Sequence, residues 1–141
     1  MADFFAIRAE IAEKLKEISA FKQIYTPLNS VKVAEMSQVT PSAHINFVRI
    51  TPNATAGKGA VTLIGQQWAV TVACRNAQSQ LNDGDAVTDE AGNLLEDVIR
   101  LLSGWKPPSS RDALMLVDVK EGFSPSFCYL TAVFSSSKFI Q

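Results

Sequence analysis

Residues 60–75, AVTLIGQQWAVTVACR, commit the chain to a sheet. Trp68, Val70, Val72 and Cys74 share one phase of a two-residue repeat, and Val61 and Leu63 share the other. The change of phase across Ile64, Gly65 and Gln66 predicts a bulge there, a place where glycine is often found. Upstream, AHINFVRIT at 43–51 alternates in the same way, with His44, Asn46, Val48 and Ile50 set against Ile45, Phe47 and Arg49. Between the two runs lies PNATAGKG, 52–59, a polar stretch with Pro and Gly that reads as a loop. Together 43–75 predict a long β-hairpin with a mobile polar tip.

The flanking segments supply the other layers. Residues 3–20 read as a helix that Asp3 can cap, with Phe4, Ile7, Ile11, Leu15 and Ile18 recurring at three- and four-residue steps. FKQIYTPLNS then runs extended and turns at Pro27 and Asn29, and VKVAEM, 31–36, is a short strand or edge segment. A second helix follows Asn82, Asp83 or Asp85 as cap. Its apolar stripe is Val87, Ala91, Leu94, Leu95, Val98 and Leu102, and Gly104 and Pro107-Pro108 end it. ALMLVDVK and SFCYLTAVFSSSKF are the last two strands. The order α-β-β-β-α-β-β predicts an α+β fold, a mixed or antiparallel sheet with two helices packed on it. With 141 residues, no internal repeat and no linker, one domain over 1–141 is expected.

Composition narrows the function. Hydrophobic residues make up 47% and charged residues 19%, enough for a core and against global disorder. The formal charge of -1 disfavours nucleic acid as the main ligand. It divides into +2 for residues 1–70 (seven Lys or Arg, five Asp or Glu) and -3 for 71–141 (six and nine). One basic and one acidic face would suit head-to-tail contacts between copies, although ordinary solvated faces explain the same numbers. No run approaches the roughly 20 apolar residues of a membrane span. The charged N-terminal stretch is not read as a secretory signal. Cys74 and Cys128 each sit in an apolar strand-like run and are expected to be buried, reduced thiols.

Motifs for chemistry fail one by one. TAGKGA, 55–60, lacks the first glycine of a phosphate loop and leads into a strand, not a helix. Asp83, Asp85 and Asp89 miss the register of a calcium loop, and Glu90 comes too early. His44 is the one histidine, and no acidic residue is near it in sequence, so it reads as structural. One His and two separated Cys supply a soft metal poorly. No catalytic, cofactor-binding or metal residue is therefore expected. Trp68 shares the phase of Val70 and reads as core; Trp105, past the helix end, fits core or an interface anchor equally.

Several segments together, FFAIRAEIAEKLKEI, QQWAVTVACR, GNLLEDVIRLLSGW and FCYLTAVF, make the chain resemble the tail terminators of tailed phages, in particular the Mu-like prophage group. The likeness covers nearly the whole chain. It implies an α+β fold, a homohexameric ring that docks on the last ring of tail-tube protein, and a head-completion protein on the other side. It implies no catalysis or cofactor. It also implies a place in the virion tail, reached from the host cytoplasm. A ring requires two different patches on each subunit, and long hairpins with exposed edges can supply them by strand addition. The candidate interaction residues are Arg49, Asn53, Lys58, Gln66, Gln67, Arg75 and Trp105, with Thr71 beside them on the second hairpin strand. Alternatives are another head-tail connector or tail-completion subunit, and a small cytoplasmic enzyme built around His44.

Overall fold

Alternating runs demand a second layer to cover their apolar phase, and the helices provide it. The computed structural model describes residues 4–26, 39–75, 85–124 and 126–140. They form α1 (Ala6–Leu15), β1 (Gln23–Tyr25), β2 (Ser42–Ala56), β3 (Val61–Arg75), α2 (Asp85–Leu102), β4 (Met115–Phe123) and β5 (Phe127–Ile140). The five strands make one mixed sheet in the order β1-β2-β3-β5-β4. β1 runs parallel to β2, and every other pairing is antiparallel. The α+β expectation holds.

The core lies between one face of the sheet and the two helices. Ile7, Ile11 and Leu15 of α1 and Ala91, Leu94, Leu95, Val98 and Leu102 of α2 pack on Ile45, Trp68, Val70, Val72, Leu130, Ala132 and Phe134. Trp68 is fully buried, and its indole N–H donates to Ser136 Oγ at 2.9 Å, which removes the cost of burying that donor. Phe47 meets the indole edge to face with ring centroids 5.3 Å apart. At the end of α2, Gly104 takes φ +86°, a left-handed conformation that favours glycine. Its N–H donates to Leu114 O, and the Leu114 N–H returns to Trp105 O, which fixes the start of β4 against the helix exit.

Three sequence expectations need correction. First, α1 stops at Leu15, not residue 20. The N–H groups of Lys16, Glu17 and Ile18 bond to carbonyls three residues back, so the last turn tightens before the chain turns away. Second, the 52–59 loop is largely strand. β2 pairs with β3 as far as Ala56↔Val61, and only Gly57–Gly59 reverses the chain, with φ of +61°, +59° and +91° at residues 57, 58 and 59. Third, no bulge interrupts β3. Its register with β5 runs unbroken from Thr62↔Ile140 to Arg75↔Phe127. The irregularities fall on β2, between Phe47 and Arg49 and between Pro52 and Ala54. Ile64 and Gln66 belong to the buried phase of Trp68, so the alternation never breaks; a polar residue at a core position imitated a change of phase. β1, read from sequence as merely extended, is a strand because its short parallel pairing with Ser42–His44 satisfies it. The expected strand at 31–36 and the caps Asp3, Asn82 and Asp83 lie outside the described residues, as does the side chain of Asp85.

Candidate assembly surfaces

Cover ends sooner on β2 than on β3. Near its base, β2 and β3 carry Ile45, Val70 and Val72 under the helices, all fully buried. Further out β2 carries Val48 and Ile50, both exposed, while Gln66 and Ile64 of β3 remain buried. β3 keeps β5 beside it to the end, while β2 beyond His44 has no described strand on its outer side. Pro52 suits that rim, since a residue without an N–H is tolerated on an edge strand. The opposite edge of the sheet is β4, whose Met115, Val117, Val119 and Phe123 are 65%, 46%, 47% and 56% exposed.

The candidate residues fall in separate places. Arg49 pairs across the ladder with Gln67, on the face away from the helices. Arg49 is exposed and Gln67 half-buried. Gln67 also lines a polar crevice of about 270 Å³ with Thr51, Gly65, Asp112, Met115 and Ser135–Ser137. The crevice floor is pinned: Asp112 accepts from Ser137 N–H at 3.1 Å and from Ser137 Oγ at 2.8 Å. Lys58 is exposed at the reversal itself. The side chain of Asn53 lies outside the described residues. Arg75 stands at the other end of β3, its guanidinium 4.9 Å from the Phe127 ring centroid. Thr71, half-buried on the helix-free face, shares a hydrogen bond of 2.8 Å with Thr131. Trp105 is half-buried on the helix side, with Lys14 Nζ 5.5 Å from its ring centroid, and walls a shallow groove of about 420 Å³ with Glu10, Glu13 and Pro108.

Gln66 corrects the sequence reading of its position. It faces the core and is fully buried. Its Nε2 donates to Phe4 O at 3.2 Å, tying β3 to the start of α1, while Oε1 has no hydrogen-bond partner. What the sequence missed is the apolar edge of β4. The signal was present, since Leu114, Leu116, Met115, Val117 and Val119 put apolar residues in both phases while helices can cover only one face.

His44 sits beside β1, stacked on Tyr25 at 4.8 Å between ring centroids, with Ser42 Oγ 3.4 Å from Nε2. Burial holds its pKa below the ordinary histidine value. Ser42 is completely buried, and none of the described cavities is lined by either residue. Cys74 and Cys128 are buried thiols, with no disulfide between them, opposite one another in the β3–β5 register. Burial, then the Glu90 charge, then Cys128, push the Cys74 thiol up to about 12. No cluster of three or more His, Cys, Asp or Glu among the described residues is placed to hold a metal. No described helix is long and apolar enough to cross a membrane.

Comparison with known proteins agrees with the resemblance drawn from the sequence. No curated protein matches the chain. The family model described as phage tail terminator protein matches residues 1–140, a span that takes in both described helices and all five described strands. The chain belongs to the phage tail terminator family and is a structural protein of the phage tail.

Proposed function

We propose that this protein caps the finished tail tube and ends its polymerisation, working as one domain in a homohexameric ring at the head-proximal end of the tail. One side of the ring docks on the last ring of tail-tube protein, and the other receives the head-completion protein. Assembly takes place in the host cytoplasm, no cofactor takes part, and the protein acts as an interface and not as an enzyme. Family membership over residues 1–140 is the observation that carries this reading. The two unlike edges of the described sheet, the β2 rim and β4, support it, because a closed ring needs two different patches on each subunit. Arg49, Asn53, Lys58, Gln67 and Arg75 are the polar contacts we assign to neighbours, with Trp105 as an anchor. Gln66 acts from within by holding α1 to β3.

Deleting the gene from its phage tests the reading. Heads that stay separate from tubes of uncontrolled length, rescued by the purified protein, are expected. Tails of normal length already joined to heads would refute it.

A further inference from the structure

The β2 rim and β4, at opposite sides of the described sheet, present exposed apolar residues on the same face and carry opposite charge. Ile50 stands opposite Gln66, a core-facing residue, so it lies on the helix side of the sheet. Val119 stands opposite Ala132 and Phe123 opposite Cys128, both in the core, so these too lie on the helix side. All three are exposed. Residues 42–60 hold Arg49 and Lys58 and no Asp or Glu, while β4 sets Asp118 and Glu121 against the single Lys120. An unpaired strand edge is a template for another chain.

We propose that β4 of one copy adds to the β2 rim of the next, head to tail, with the helices of every copy on the same side. This joint rests on the ring proposed above and names the two surfaces that close it. Rotation about one axis keeps each helical layer on the same side of the ring wall, so residues on the helix side meet residues on the helix side. Ile50 of one copy then lies with Val119 and Phe123 of its neighbour, with the exposed Glu121 between those two on the same side. The basic rim meets the acidic edge. A two-fold pairing of β4 with β4 would instead set acidic edges together and leave the β2 rim bare, and like charges facing one another across a ladder are destabilising. The Val119 N–H is held by Asp118 Oδ1 at 2.9 Å. A partner carbonyl must displace that cap, which favours a matched edge over a chance encounter.

Paired cysteines test the joint. Ile50→Cys, Val119→Cys and the double variant are treated with a short bis-maleimide where light scattering shows rings, with wild-type protein as the control for the buried native thiols. The double variant is expected to give a ladder of dimers, trimers and larger species. An equal mixture of the two single variants is expected to stop at dimers, and each single variant alone to give none. Dimers from Val119→Cys alone would show a two-fold edge and overturn the proposal. Rings that form normally but yield no ladder would overturn the assigned edges and leave the ring standing. A chain that stays monomeric, both free and on tubes, would overturn ring and joint together. If either variant fails to fold by circular dichroism, Thr51→Cys and Lys120→Cys replace it. Both are exposed and share the opposite face of the same two strands, so the expected pattern is unchanged.

Discussion

The inner and outer halves of one hairpin differ more than two separate elements would. Near the base, Trp68, Val70 and Val72 lie under two helices and are sealed from water. A few residues along β2, Val48 and Ile50 stand in the open, although Gln66 and Ile64 beside them on β3 do not. Backbone pairing continues through both halves, so hydrogen bonding does not explain the contrast. Cover does. The inner half serves the fold of one chain; in the outer half β3 stays covered at Gln66 and Ile64, while the β2 side chains Val48 and Ile50 remain available to another.

Substitutions should separate the halves. Trp68→Ala removes the largest buried side chain and should cost about 3–5 kcal/mol in chemical denaturation. A cost under about 1 kcal/mol would mean that the base is not the stability centre. Gly104→Ala forces a Cβ into the left-handed region at the helix exit and should cost about 1 kcal/mol, read as a lower melting temperature. Space alone would permit the methyl, since a Cβ there meets nothing within 4 Å, so an unchanged melting temperature would show that the backbone shifts.

Titration sharpens the contrast further. The folded state holds His44 below its ordinary pKa by burial, so the unfolded chain binds the proton more readily. Stability from this group is present above about pH 6.5, the unfolded value, and falls as pH drops below it. His44→Gln should flatten that slope; an equal slope in both proteins would locate the titration elsewhere. Cys74, with its thiol near 12, should react with iodoacetamide far more slowly in the folded chain than in urea. Equal rates would mean that the base opens readily. The smallest effect on stability is expected from Ile50→Ser on the outer half, within about 0.5 kcal/mol. A large loss there would show that the isolated chain already uses this residue in its core.

Much of this was legible in the sequence. Alternation at 43–51 and 60–75 located β2 and β3, and the three- and four-residue steps of Ala91, Leu94, Val98 and Leu102 located the buried face of α2. Gly104 marked its end. Alternation states which face a residue takes, not whether anything covers that face, so Ile50 and Val70 looked alike. Gln66 was misplaced for the converse reason. A polar residue signals surface, yet its bond to Phe4 O is a long-range contact that no local pattern records. The same holds for β1, since Gln23–Tyr25 becomes a strand through partners at 42–44. The apolar edge of β4 was readable as residues but not as an edge, because strand order depends on the whole topology.

The most direct test of the central claim is electron microscopy of tail tubes assembled from purified tube protein, with the gold-labelled protein added. The account predicts label at one end of each tube, a ring-shaped density there, and tubes that stop growing from that end. Label scattered along the tube walls, or tubes that lengthen from both ends as if nothing had been added, would contradict it.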